Sequence, residues 1–185
     1  AVAQARENAG AIEDALGGVN RVLTGPLVFS RDLRLNVYEH RACPLLAECV
    51  DAVRAAAGVR GVTLRVECAA DPTAVLDKLK VKQVVVNLLQ NAIEASAAGS
   101  EVLVRATARD GQLEIAVTDH GPGVRAEDRE AVFTPFFTRK EHGTGLGLAI
   151  AREFTQAHGG RIAVEDAEGG GARFVLRLPL AGPPG

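Results

Sequence analysis

The chain has 185 residues, of which 47% are hydrophobic, so it can build one core of ordinary size and a small appendage. Its formal net charge of −2 gives no basic excess that would indicate nucleic-acid binding. No apolar run approaches the roughly 20 residues that cross a bilayer, and no signal-peptide pattern opens the chain. We therefore expect no nucleic-acid partner and no membrane contact for this chain.

Residues 1–30 differ in pattern from the rest. Apolar side chains recur there at alternating spacings of three and four, which predicts a helix with a heptad seam. The Gly25-Pro26 pair should bend or end this helix. The seam needs a partner, and three alternatives stay open: a second copy of the chain, a partner helix missing from this chain, or the helix's own domain. The seam consists of Val2, Ala5, Ala9, Ile12, Leu16, Val19 and Leu23.

Residues 31–185 have the pattern of a two-layer α/β domain. The hairpin signal Asp110-Gly111 joins two of the predicted strands. One-face-buried strands and three helices predict a mixed, mostly antiparallel sheet with the helices on one face. Strands are predicted at residues 33–37, 62–66, 102–106, 113–117, 161–165 and 172–180, and helices at 45–57, 79–97 and 146–157.

The three cysteines, Cys43, Cys49 and Cys68, form an odd set without the spacing of metal ligands. Such cysteines are typical of reduced thiols in a cytosolic protein. The chain begins at Ala1 and contains no Met, so we expect it to be a fragment. The sequence thus predicts a cytoplasmic domain, although the intact protein could be tethered to a membrane.

The second predicted helix carries a polar stripe. Gln83, Asn87, Asn91 and Glu94 follow one another at spacings of four, four and three, which places them on one face of an otherwise apolar helix. A buried amide costs free energy unless it finds a hydrogen-bond partner. The stripe therefore predicts a polar network or a bound ligand.

Two glycine clusters follow downstream, Asp119-His120-Gly121-Pro122-Gly123 and Gly143-Thr144-Gly145-Leu146-Gly147. The second cluster leads directly into a helical pattern. Glycine allows backbone N–H groups to approach a ligand closely, and a helix N-terminus favours anions. This combination is typical of a polyphosphate site, although a lone glycine cluster is a weak signal.

Four features of the chain resemble, in order, the N box, first glycine box, F box and second glycine box of sensor histidine kinases. They are the helix with Asn87 and Asn91, the first glycine cluster, the phenylalanines Phe133, Phe136 and Phe137, and the second glycine cluster. The resemblance covers residues 33–180 and implies the Bergerat fold, which is shared with gyrase, mismatch-repair and chaperone ATPases. It implies ATP and Mg²⁺ as ligands. It also implies that residues 1–30 are the second helix of a dimerisation bundle, with a homodimer and a response-regulator receiver domain as partners.

The resemblance also implies roles for individual residues. Asp119 would accept a hydrogen bond from the adenine amine, and Asn91, together with Asn87, would bind Mg²⁺. Residues 124–142 would form a mobile lid on which Lys140 is a candidate for phosphate neutralisation and catalysis. The remaining implied nucleotide contacts are Gly121 and Gly123 beside the base, Phe136 and Phe137 as lid anchors, Arg139 beside the phosphates, and Gly143, Thr144, Gly145, Leu146 and Gly147 as phosphate-facing backbone.

Position 87 separates two chemistries within this resemblance. The related ATPases carry a glutamate there as general base, whereas the amide of Asn87 cannot take up a proton at neutral pH. Phosphoryl transfer is therefore favoured over hydrolysis. The alternatives are a Bergerat-fold ATPase or serine kinase, and a non-catalytic dimerisation or docking module.

The sequence departs from the family at two places. Many members carry a lysine and an aromatic residue where this chain has Glu94 and Ala95. No histidine lies in a phosphoacceptor setting, so the acceptor is expected outside this chain. His120 and His142 fall at variable motif positions, and His40 and His158 are predicted to be surface groups at the ends of a strand and a helix.

Overall fold

The computed structural model describes residues 33–140 and 143–184. The predicted heptad helix and the assignment of residues 1–30 lie outside these ranges. Seven strands and three α-helices follow in order: β1 (Tyr38–Arg41), α1 (Ala42–Arg60), β2 (Thr63–Glu67), β3 (Thr73–Leu76), α2 (Lys78–Ala95), β4 (Glu101–Arg109), β5 (Gln112–Thr118), α3 (Gly147–Ala157), β6 (Arg161–Asp166) and β7 (Ala172–Pro179). Two 3₁₀ turns, Ala126–Asp128 and Ala131–Phe133, lie between β5 and α3.

Five strands form one mixed sheet in the order β2-β4-β5-β7-β6. The β2–β4 pair is parallel and the other three pairs are antiparallel. Asp110 and Gly111 both have positive φ, 51° and 74°, as a type I′ hairpin between β4 and β5 requires. The predicted sheet and its central hairpin are confirmed.

The helices cover one face of this sheet. Apolar residues of α2 are buried at the helical period, including Val84 and Val85. Helix α2 packs between α1 and α3, and each helix contacts a strand of the large sheet. The predicted α+β architecture with three helices is therefore confirmed. Within the described ranges, no helix combines the length and apolarity needed to cross a bilayer.

The first predicted strand, residues 33–37, is wrong. The strand begins later, at Tyr38, because the backbone N–H of Asn36 donates to the Asp77 carboxylate at 2.9 Å instead of to a neighbouring strand. β1 pairs with β3, which the sequence reasoning missed, and the two form a separate antiparallel ribbon. Because the pair is antiparallel, with Arg41 opposite Thr73, this ribbon brings the start of α1 next to the start of β3.

His158 is a second correction, because it lies in the core rather than on the surface, with 2% of its area exposed. Its Nε2 accepts the backbone N–H of Asp77 at 3.0 Å, and its Nδ1 lies 2.6 Å from the carbonyl oxygen of Phe154. A backbone N–H can only donate and a carbonyl oxygen can only accept, so Nε2 accepts and Nδ1 donates. The imidazole thereby fastens the end of α3 to the start of α2. His40 is half-buried in β1, and His120 is exposed.

The expectation of three reduced cysteines is also corrected. Cys43 and Cys68 form a disulfide across 25 residues of sequence. Their segments meet because the backbone N–H of Ala42 donates to the carbonyl of Pro72 at 2.8 Å. Cys49 is free and buried, and burial raises the pKa of its thiol to about 12.

Candidate nucleotide-binding site

One face of α2 meets both glycine clusters and the segment between them. Asn87, Asn91 and Ala95 are spaced by four residues and therefore lie along one side of the helix. The Asn87 amide nitrogen donates to the carbonyl of Gly147 at 3.1 Å, and the Lys140 ammonium donates to the Asn91 amide oxygen at 3.2 Å. At the third position the backbone of Ala95 lies against Gly121. Segments separated by up to 60 residues of sequence thus converge on this face.

Asp119 directly follows β5, opens the first glycine cluster and is almost completely buried. Its Oδ1 accepts the backbone N–H groups of Gly121 at 2.8 Å and Ala172 at 3.2 Å. Both bonds go to the same oxygen, so Oδ2 is available for an external donor such as the amine of a base. The carboxylate is held in place by the turn that it closes.

The glycines of this cluster are required by the fold itself. A Cβ on Gly121 would lie 2.6 Å from the carbonyl oxygen of Ala95, closer than real Cβ contacts come. Gly123 has φ of 75°, and a Cβ there would lie 3.1 Å from the carbonyl oxygen of Gly171. The close packing of backbone on backbone explains both residues without a ligand. It also positions Asp119 beside the end of α2.

The second glycine cluster opens α3 beside Asn87. A Cβ on Gly145, whose φ is 66°, would lie 2.5 Å from the carbonyl carbon of Phe136, whereas one on Gly147 would meet only ordinary contacts at 3.8 Å. Among residues 33–140 and 143–184, no side-chain oxygen caps α3, and Thr144 Oγ1 makes only a long 3.4 Å contact with the N–H of Leu146. Within these ranges the first-turn amides therefore lack a strong side-chain acceptor and suit an anion.

The segment predicted as the lid is anchored by a different phenylalanine from those expected. Phe133 is buried and packs edge-to-face on Phe174 with ring centroids 6.3 Å apart. Phe136 is 73% exposed, has φ of 66°, and is held through its backbone N–H, which donates to the carbonyl of Gly145 at 3.0 Å. The left-handed conformation turns its ring outward, so Phe136 does not anchor by burial. Phe137 is half-buried.

The two basic residues on this segment have different partners. The Arg139 guanidinium pairs with the buried carboxylate of Asp128 at 2.9 Å, so the positive charge of Arg139 is neutralised within the segment. Lys140 instead reaches α2, where its ammonium contacts Asn91 and forms an ion pair with Glu94. Many family members carry a lysine on the helix at position 94. In this chain the lysine comes from the lid instead and pairs with Glu94. The structure supports Lys140 over Arg139 as the cation at this site.

The donor set fits a divalent cation and a nucleotide. The Asn91 amide oxygen and a Glu94 carboxylate oxygen already converge on one positive group, the Lys140 ammonium. Amide and carboxylate oxygens are the ligands that Mg²⁺ prefers. Successive turns of α2 thus face three kinds of group. These are the first-turn amides of α3, which suit phosphates, the oxygens of Asn91 and Glu94, which suit a cation, and the buried carboxylate of Asp119, which suits a base. Glu94, which departs from the family pattern, thus lies at the candidate cation site, a position that its sequence context did not indicate.

The fold and these contacts define an ATP-binding domain, and comparison with known proteins agrees. Residues 76–182 match the family described as "Histidine kinase-, DNA gyrase B-, and HSP90-like ATPase". The chain belongs to this family, and its architecture is that of the histidine kinase type. The expected resemblance is therefore confirmed.

Similar proteins include several named as sensor histidine kinases. The chain is 44% identical over 109 residues to Sensor histidine kinase ZraS of Escherichia coli O157:H7, covering 59% of this chain and 24% of that protein. The chain spans about a quarter of the length of the curated relatives it matches.

Similar structures include the nucleotide-free catalytic domain of histidine kinase ThkA, with a TM-score of 0.74, 30% identity, and coverage of 80% of this chain and 97% of that one. Full-length ShkA in complex with AMPPNP gives a TM-score of 0.81 at 30% identity, covering 91% of this chain and 36% of that one. ThkA is also known in complex with the response regulator TrrA, with a TM-score of 0.77 at 26% identity, covering 92% of this chain and 50% of that one.

Proposed function

We propose that this domain binds ATP with Mg²⁺ and, within the intact protein, transfers the γ-phosphoryl group to a histidine supplied from outside this chain. The observation that carries the proposal is Asn87. It occupies the position of the hydrolases' general base, and its amide donates to the carbonyl of Gly147 at 3.1 Å. An amide cannot activate water by taking its proton, so transfer to another nucleophile is favoured over hydrolysis.

Different groups of the site contact different parts of the nucleotide. Oδ2 of Asp119 is the acceptor for the adenine amine, since Oδ1 is already used by two backbone donors. Asn91 would hold Mg²⁺, with Asn87 one turn away on the same face. The metal, when bound, supplies charge neutralisation for the phosphates. The uncapped first turn of α3 supplies backbone donors to the same phosphates.

Lys140 is the candidate for charge neutralisation at the transferred group. Its ammonium contacts Asn91 and Glu94, the same oxygens that suit the metal. Lys140 and Mg²⁺ are therefore alternative partners of Asn91. Lys140 would become available to the phosphates when the metal takes its place. Asp128 holds Arg139 away from this role.

The partners follow from the same proposal. A relative of this chain, ThkA, is known in complex with a response regulator, which supports a receiver-domain aspartate as the next phosphoryl acceptor. The heptad pattern of residues 1–30 supports a homodimer of the intact protein. We place the domain in the cytoplasm, where ATP is available.

Calorimetric titration of the 185-residue protein with a non-hydrolysable ATP analogue tests the binding step. We expect one site whose affinity falls when Mg²⁺ is replaced by a chelator. Equal affinity with and without Mg²⁺ would remove Asn91 as a metal ligand. The absence of any binding heat and of any nucleotide-dependent thermal shift would instead favour a docking module that has lost its ligand.

A further inference from the structure

A disulfide joins two segments of the chain at a place remote from the nucleotide contacts. Cys43 is the second residue of α1, and Cys68 follows directly after β2. Their Cα atoms lie 5.5 Å apart, within the range that disulfides adopt. Both residues are only partly buried, so a small reagent can reach them, whereas Cys49 is buried and unpaired.

Contacts that do not involve sulfur hold the two cysteines face to face. The Asp71 carboxylate accepts the backbone N–H of Cys43 at 2.9 Å through one oxygen and the Arg41 Nε at 2.6 Å through the other. The backbone N–H of Ala42 also donates to the carbonyl of Pro72. The loop that carries Cys68 is therefore fixed against the first turn of α1, and the two thiols would remain neighbours after reduction.

The same three side chains resemble a metal site, since ligand atoms of Cys43, Cys68 and Asp71 all lie within 4.8 Å of one another. Asp71, however, uses both carboxylate oxygens on Arg41 and on the backbone of Cys43. A structural zinc site takes four protein ligands, and this group offers three among the residues that the structure places. The geometry therefore favours sulfur–sulfur chemistry.

We propose that Cys43 and Cys68 are a reversible oxidation site that takes a small-molecule disulfide, such as glutathione disulfide, as its oxidant. Cys43 lies in the first turn of α1, where the helix dipole favours a thiolate, so its sulfur attacks the reagent and releases one reagent thiolate. The Cys68 thiolate then attacks Cys43 and releases the second. The two protein protons end on two reagent thiols, and the reaction reverses with excess reagent thiol.

The cysteines and the nucleotide contacts lie toward opposite ends of the adjacent helices α1 and α2. Helices α1 and α2 run in the same direction, since Glu48 pairs with Lys78 near their starts and Arg60 contacts the carbonyl of Glu94 near their ends. The cysteines lie at the starting end, and the nucleotide contacts lie on the second half of α2. The disulfide therefore changes the stability of the domain and leaves its nucleotide affinity unchanged, and the inference stands independently of the proposed kinase activity.

Equilibration of the 185-residue protein in glutathione buffers of graded oxidation tests the proposal. Free thiols are counted after denaturation, and the cross-linked peptides are identified by mass. We expect three thiols in reducing buffer, one in oxidising buffer, and a Cys43–Cys68 peptide pair. The thermal midpoint should be about 10 °C higher in the oxidised form, with the same affinity for an ATP analogue. Cys49→Ser, the matched control, should still lose two thiols.

Three outcomes would overturn the proposal. The first is three free thiols throughout the oxidising buffers, and the second is glutathione adducts on separate cysteines without an internal bond. The third is stoichiometric zinc binding by the reduced protein that Cys43→Ser abolishes, which would assign the cluster to a metal. The thiol count and the peptide masses of the unmutated protein decide the first two, so the test does not depend on whether a variant folds.

Discussion

Replacing Asp119 with Asn separates the role of its carboxylate in the fold from its role in base recognition. The two backbone N–H groups of Gly121 and Ala172 both donate to Oδ1. The carbonyl oxygen of an amide can take this position and keep both bonds, which places the new NH₂ group where Oδ2 was. The fold should then survive, while the adenine amine would face a second donor in place of an acceptor.

The expected magnitude follows from the lost bond. A hydrogen bond to a charged group contributes about 1.5–3 kcal/mol, which corresponds to roughly a 10- to 150-fold loss of affinity for an ATP analogue. A triphosphate whose purine carries a 6-oxo group presents an acceptor in place of the amine. Asp119→Asn should therefore lose adenine affinity and gain affinity for the 6-oxo nucleotide.

Calorimetric titration of both nucleotides into both proteins checks this reversal. Asp110→Asn, which removes the same charge from the exposed hairpin turn between β4 and β5, serves as the control and should bind like the parent. Equal titration curves for Asp119→Asn and the parent protein would refute the assignment of Asp119. Loss of both nucleotides together with loss of secondary structure would show that the carboxylate acts in folding.

Three further predictions concern the metal, a helix start and the lid. Asn91→Ala should abolish the Mg²⁺-dependent part of analogue binding, whereas Gln90→Ala, on the neighbouring face of α2, should retain it; calorimetry with and without chelator distinguishes them. Burial would raise the pKa of Asp77, but two backbone N–H groups and a lysine ammonium outweigh it and hold the pKa below its usual range. Asp77→Asn should therefore lower the free energy of unfolding at pH 7. In urea unfolding, the difference in this free energy between the parent and the variant should shrink as the pH falls below about 4. Phe133→Ala should cost about 3–5 kcal/mol in the same unfolding assay, whereas Phe136→Ala, at an exposed ring, should cost almost nothing.

The sequence was informative wherever local pattern and tertiary context agree. The alternation in β4 and β5 and the Asp110-Gly111 turn predicted the central hairpin, because period-two burial and two positive φ angles leave few other structures. The polar stripe predicted the face of α2 that meets the glycine clusters. Asn87 and Asn91 were predictable because amides at helical spacing on an apolar helix require partners.

Long-range pairings account for what the sequence did not predict. Nothing in the local pattern of residues 33–37 shows that the N–H of Asn36 bonds to Asp77. The core position of His158 depends on Asp77, 81 residues away in sequence. The Cys43–Cys68 pair likewise depends on Asp71 fixing a loop against α1.

The sequence also did not show which phenylalanine of the lid is buried. Three phenylalanines lie within five residues, and only the backbone conformation decides which ring is buried. Residue 136 adopts a positive φ because its N–H bonds to Gly145, and its ring is consequently exposed. Burial of Phe133 against Phe174 could not be read from spacing alone.

The fate of the γ-phosphoryl group tests the central claim most directly. The protein is incubated with γ-labelled ATP and Mg²⁺, alone and with the histidine-bearing helical hairpin of the intact protein. The account predicts no label on this chain, negligible steady release of phosphate, and acid-labile, base-stable label on the added hairpin. Steady ATP turnover without an acceptor, or label on this chain itself, would contradict it.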